Sequence, residues 1–168
     1  MFKQIAFAAT FALLAASAFA ADRPAFYAGA DVGSTKLEGI ADRQSSFGGF
    51  VGYAFNQNIA VEAGYRRLAD FDVTAGGRPV GVTLDQSAVS VVGTLPLNSG
   101  FSLFSRLGYN RIDAKGTSGY SSATDSTSGV LYGIGVGYSF TPAITARLEA
   151  QKPSSDSSNI GASVSLKF

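Results

Sequence analysis

Few residues in this chain are of types that could do chemistry. Its 168 residues include no Cys and no His. The candidates are six charged side chains at strand-like spacing, Asp31, Glu62, Arg66, Arg106, Arg147 and Glu149, and the glycine run GIGVG at 133–137. Lack of His removes the usual general base near neutral pH and the commonest zinc ligand. Glu62 and Glu149 are of the residue type used as an acid–base pair, but basic residues accompany them in the pattern and no substrate pocket is implied. A Ser nucleophile would lack an evident base. A dinucleotide fingerprint needs a strand, a tight turn and then a helix, whereas these glycines alternate with Ile134 and Val136 as in the interior of a strand. We therefore expect no catalytic residue, no cofactor and no metal site.

The elements that must position these charges begin after an export signal. Lys3 supplies a positive start, Ile5 to Ala16 form an apolar run, and SAFA at 17–20 ends in a small-x-small pattern. This predicts a signal peptide over 1–20, its apolar core too short to span a bilayer as a helix, which takes about 20 residues. Residues 21–168 then form a single domain. It has no Cys, so disulfides cannot hold it. Without Lys3 the 13 basic residues become 12, matching 12 acidic ones, and no charge excess points to nucleic acid. No later stretch is apolar for long enough to be a transmembrane helix, so a membrane crossing would have to be made by strands.

Period-2 alternation recurs through that domain. Phe26, Ala28, Ala30 and Val32 alternate with Tyr27, Gly29, Asp31 and Gly33. Similar segments surround 46–55, 59–66, 101–109, 132–140, 144–151 and 160–168, with a weaker strand over Leu84–Leu95. Short turns, NQN at 56–58, PLNSG at 96–100 and TPA at 141–143, alternate with longer polar connections at 35–45, 67–83, 111–129 and 152–158. One face of the strands is apolar and aromatic. The other is mostly Gly, Ser and Thr and carries the six charges, three acids and three bases. A soluble barrel puts its apolar face inside. An eight-stranded barrel has room inside only for side chains, so small residues and paired charges suit its lumen and the apolar face suits lipid. Closure also leaves no backbone group unpaired in hydrocarbon. The expected fold is an all-β, eight-stranded antiparallel up-and-down transmembrane β-barrel.

The segments FYAGADVG (26–33), GYAFNQNIAVEAGYRRL (52–68), PLNSGFSLFSRLGY (96–109), VGYSFTPAITARLEAQ (136–151) and VSLKF (164–168) resemble the OmpA-like transmembrane barrel family. The resemblance implies a barrel in the outer membrane of a Gram-negative bacterium, with both termini in the periplasm and insertion by the barrel-assembly machinery. It covers the barrel alone, without the periplasmic peptidoglycan-binding domain of some members. It also implies that the interior charge cluster falls on Glu62, Arg106, Arg147 and Glu149. Asp31 stands where the archetypal member carries a base, and Val92 and Gly137 where it carries charge, so a gate that swaps ion pairs is not expected here. Val164, Leu166 and Phe168 match the family's aromatic C-terminal assembly signal.

The functional expectation is a structural or surface-interaction role, with the lumen plugged by paired charges and no enzymatic activity. The alternatives are a narrow porin-like channel for small solutes and a lipid-modifying outer-membrane enzyme. Arg67 and Arg111 fall at the expected upper rim, with Lys36, Arg43, Arg78 and Lys115 in the loops, as candidate contacts for lipopolysaccharide phosphates. The third loop, 115–129, is rich in Ser, Thr and Gly. It reads as a solvated surface segment, with a tip that binds a host or phage ligand as the alternative.

Overall fold

The computed structural model describes residues 24–37, 43–75, 78–118, 121–154 and 157–168. The expected signal peptide, 1–20, lies outside them. Eight strands follow in order: β1 (Ala25–Leu37), β2 (Gln44–Ala54), β3 (Ile59–Ala75), β4 (Arg78–Pro96), β5 (Phe101–Ser118), β6 (Ser121–Ser139), β7 (Ile144–Ser154) and β8 (Ser157–Lys167). Each pairs antiparallel with its sequence neighbours, and β8 returns to β1 to close the barrel. At the seam Leu166 faces Ala28, and the Phe168 N–H donates to the Phe26 carbonyl at 2.9 Å. A row of partners that leaves β6 at Gly137 passes through Arg147, Ser163, Asp31, Gly48, Arg66, Gln86 and Ile112, and re-enters β6 at Thr127, ten residues away. With eight strands, that stagger tilts each strand by about 40° and makes a narrow tube that side chains can fill.

The connections at one end are tight because local side chains satisfy them. Asn56 Oδ1 accepts the N–H groups of Asn58 and Ile59, both at 2.8 Å, and Thr141 Oγ1 accepts that of Ile144 at 3.0 Å; each is a side-chain mimic of a backbone turn. The third turn needs left-handed backbone, at Ser99 (φ 62°) and Gly100 (φ 81°), a conformation glycine adopts freely.

At the other end the expected loops are largely strand. The weak strand over Leu84–Leu95 is part of a 19-residue β4, and the segments expected as loops at 67–83 and 111–129 pair as hairpins out to Ala75↔Arg78 and Ser118↔Ser121. Lys36, Arg78 and Lys115 therefore belong to β1, β4 and β5, whereas Arg43 lies outside the strands. Toward their outer ends, as at Thr124–Ser128, the side chains are polar and exposed on both faces, so no apolar dyad marks that stretch in the sequence and backbone pairing keeps it extended. Two register shifts, between Arg67 and Ala69 in β3 and between Gln151 and Ser154 at β7–β8, sit where the tube gives way to the hairpins.

The outer wall of the tube is apolar and exposed, with Val32, Val89, Leu107, Val130, Ile134 and Leu148 all more than half accessible. A belt of aromatics edges it at the short-turn end. Tyr53 lies between Phe26 (4.9 Å) and Phe55 (5.1 Å), and Tyr138 between Phe101 (4.8 Å) and Phe140 (4.9 Å). Such a belt is what the interface of a bilayer selects. Inside, a small apolar cluster of Tyr27, Ala60, Val92 and Phe104 occupies the short-turn end of the lumen.

Candidate functional site

Period-2 alternation turns Asp31 of β1, Glu62 and Arg66 of β3, Arg106 of β5, and Arg147 and Glu149 of β7 toward the tube axis, and the structure brings all six together in the lumen. Near the short-turn end Glu62 is the hub. Its Oε1 accepts from Tyr27 Oη at 2.7 Å and from Arg147 Nη1 at 2.6 Å. Its Oε2 lies 2.6 Å from Arg106 Nη2, an ion-pair contact off the hydrogen-bond direction. Arg106 also donates through Nε to Glu149 at 2.7 Å and through Nη1 to Ser90 at 2.8 Å. The Arg147 guanidinium stacks near both Tyr27 and Phe104, 5.5 and 5.3 Å from the ring centroids.

A second group lies toward the long-hairpin end. Arg66 Nε donates to Asp31 at 2.6 Å, and its Nη1 to Gln151 at 2.7 Å and Asn159 at 3.3 Å. Asn159 in turn donates to Thr35 and Ser46. Gln151 joins the two groups, since its Nε2 donates to Glu149 at 3.4 Å. Each charge therefore faces an opposite one, the condition for ions to persist away from water. Glu62 is 1% exposed. Glycines on the facing strands make the room. At Gly52 a Cβ would overlap the Tyr27 ring, and at Gly133 one would stand 2.5 Å from Glu149 Oε1. The network leaves a cavity of only about 40 Å³, into which Asp31, Glu62, Arg66, Gln86, Arg106 and Glu149 face. Among the described residues, all four carboxylate and guanidinium groups of the hub, Glu62, Arg106, Arg147 and Glu149, are engaged in ion pairs with one another.

Sequence reasoning missed the neutral members, Tyr27, Ser90, Gln151 and Asn159, and Gln86, which lines the cavity beside them. The signal was present, for all stand on the inward parity of their strands, but charge alone drew notice. It also missed the apolar residues above the network. Leu68, Ala69, Leu131 and Pro153 are almost wholly buried and Ile112 is nearly so.

The rim residues behave differently. Arg67 points outward beside Phe47, bonds Asp85 at 3.1 Å and lies 3.8 Å from Asp70. Arg111 bonds Asp113 at 2.9 Å and Ser126 Oγ at 3.1 Å, and Lys115 lies 3.5 Å from Asp85. At the seam, Val164 and Phe168 are on the exposed apolar wall.

No curated protein sequence matches this chain. Among solved structures the barrel is similar to Ail, the attachment invasion locus protein of Yersinia pestis, crystallised with the heparin analogue sucrose octasulfate. The two share 17% identity over 89% of this chain and all of that one, at a TM-score of 0.61. Neisserial surface protein A shares 16% identity over 86% of this chain and 97% of its own, at 0.65. The N-terminal barrel of Pseudomonas aeruginosa OprF shares 14% over 88% and all of that chain, at 0.64. At such identities the likeness is one of fold. A family-level match spans residues 6–168, and by that match, together with the closed eight-stranded barrel and its apolar wall, this chain belongs to the outer membrane protein beta-barrel domain family.

Proposed function

We propose that this protein is an integral outer-membrane barrel with a structural or surface-interaction role, its lumen plugged by paired charges and its wall seated in lipid. The observation that carries this reading is the continuous lumen network from Tyr27 to Thr35, which leaves a cavity of about 40 Å³ among its charges. In this reading residues 1–20 are a cleaved export signal and 21–168 form the barrel. The short turns and both termini face the periplasm, and the long hairpins stand in the external medium, where a host or phage ligand would meet them. Val164, Leu166 and Phe168 serve as the signal read by the assembly machinery, supported by their place on the closing strand.

The reading includes lipopolysaccharide contact at Arg67 and Arg111, supported by their place on the outer rim next to the apolar wall. Each already has an acidic neighbour, so a lipid phosphate would share the guanidinium with Asp85 or Asp113. The chain is read as neither a lipid-modifying enzyme nor a narrow porin. Single-channel recording of the refolded protein in planar bilayers tests the plug. The expected result is a silent membrane, and reproducible conductance steps would establish the porin reading. Release of fatty acid from labelled lipid A would establish the enzymatic one.

A further inference from the structure

The charge network does not extend to the long-hairpin mouth of the tube. Above it the inward side chains become apolar: Leu131 on β6, Leu68 and Ala69 on β3, Ile112 on β5 and Pro153 on β7. Leu68 and Leu131 are each 1% exposed, Ala69 0% and Ile112 9%. Two irregularities in pairing lie at this level. In β3, Arg67 faces Asp85 and Ala69 faces Leu84, leaving Leu68 as the extra residue of a bulge. In β7, pairing with β8 is interrupted between Gln151 and Ser154, where Pro153 sits. Asn110 holds that second break by donating to the Pro153 carbonyl at 2.8 Å. Bulges re-aim side chains at the rims of barrels. Here, alternation past Arg66 and Gln151 would alone have turned Leu68 and Pro153 inward; the bulge adds Ala69 beside Leu68 on the same inward side. Just inside this layer Gln86 Nε2 is buried with no hydrogen-bond partner among the described residues.

We propose that Leu68, Ile112, Leu131 and Pro153 form an apolar lid that shuts the long-hairpin mouth independently of the charge network beneath it. Leu68 is the determining residue. A narrow constriction lined by alkyl groups excludes water and ions because water there loses hydrogen-bonding neighbours without gaining polar ones. The proposal rests on the closed-lumen reading but assigns that end's closure to different residues. The ion pairs neutralise and fill the middle of the tube, and the lid keeps solvent from reaching them.

The absence of native Cys permits a direct test. Ala88 borders the lumen cavity, so the full-length protein carrying Ala88→Cys, folded in detergent, reports access through its rate of reaction with a small charged methanethiosulfonate. Three backgrounds are compared: otherwise native, Leu68→Ser, and Val92→Ser at the opposite end of the lumen. The expected result is slow labelling in the first and third, with acceleration of roughly tenfold or more in the second, the scale set by losing one buried leucine side chain. Ile112→Ser replaces Leu68→Ser if the latter no longer shows the heat-shifted gel mobility of a folded barrel. Slow labelling in all three backgrounds overturns the lid and leaves the charge network as the plug. Equal acceleration by Val92→Ser overturns it too, since access would then not be set at the long-hairpin mouth. Rapid labelling without any second substitution overturns the closed-lumen reading together with the lid.

Discussion

Two sets of ion pairs in this barrel have almost the same geometry and opposite surroundings. In the lumen Arg106 meets Glu62 and Glu149 at 2.6 and 2.7 Å, with side-chain exposures of 10%, 1% and 13%. On the rim Arg111 meets Asp113 at 2.9 Å, with exposures of 60% and 28%. Distance does not rank them. Water screens the rim pair and competes for both partners, so it contributes about 0–1 kcal/mol. In the lumen neither partner can turn to solvent. Removing one therefore strands the other, at about 3–5 kcal/mol. The wall imposes this contrast: it encloses the lumen pairs and leaves the rim pairs in solvent.

The comparison fails most visibly if the hub can be removed without harm. Glu62→Ala leaves Arg106, Arg147 and the Tyr27 hydroxyl facing one another. It should lower unfolding stability by about 3–5 kcal/mol in urea titrations of the heat-shifted gel form. A loss no larger than at the rim would show that water enters the lumen freely. Seam and hairpin provide the next contrast. Deleting Phe168 removes the last hydrogen bond to β1 and an aromatic of the lipid wall. It should reduce assembled protein in membranes far more than shortening the β5–β6 hairpin around Ser126; equal reductions would contradict the role assigned to this residue.

Glycines sharpen the inside–outside comparison at smaller scale. Gly52→Ala drives a methyl into the Tyr27 ring and disturbs its bond to Glu62, so a loss of about 1–3 kcal/mol is expected. Gly93, on the outer wall, has Ser105 Oγ at 3.5 Å from such a methyl. Gly93→Ala should stay within about 0.5 kcal/mol in the same titration, and a matching loss at both sites would point to strand pairing rather than lumen crowding. The smallest effect is expected at Arg111→Ala, within about 0.5 kcal/mol and fading further as salt is raised.

Much of the tube was legible because lipid and lumen impose opposite demands on alternate residues. Phe26 against Tyr27, or Leu107 against Arg106, announces both the strand and its faces. That signal ends where the surroundings stop differing between faces. Thr124–Ser128 are polar on each side and read as loop, yet the backbone of β6 stays paired with β5 there. The six lumen charges were found individually. Their bridging through Gln151 and Asn159 was not, because a neutral amide on the inward parity looks no different from any other polar residue.

The order of apolar, polar and small residues by itself determined that this chain makes strands, which face each strand turns to lipid, and how many charges share the lumen. Local chemistry suffices for that, since a period of two needs only the pleat. Tertiary structure alone decided who pairs with whom. The stagger of ten residues around eight strands sets which level of the tube each inward side chain occupies. It thereby places Glu62 between two guanidiniums and Leu68 above them. Register is a property of the closed ring, and no single strand carries it.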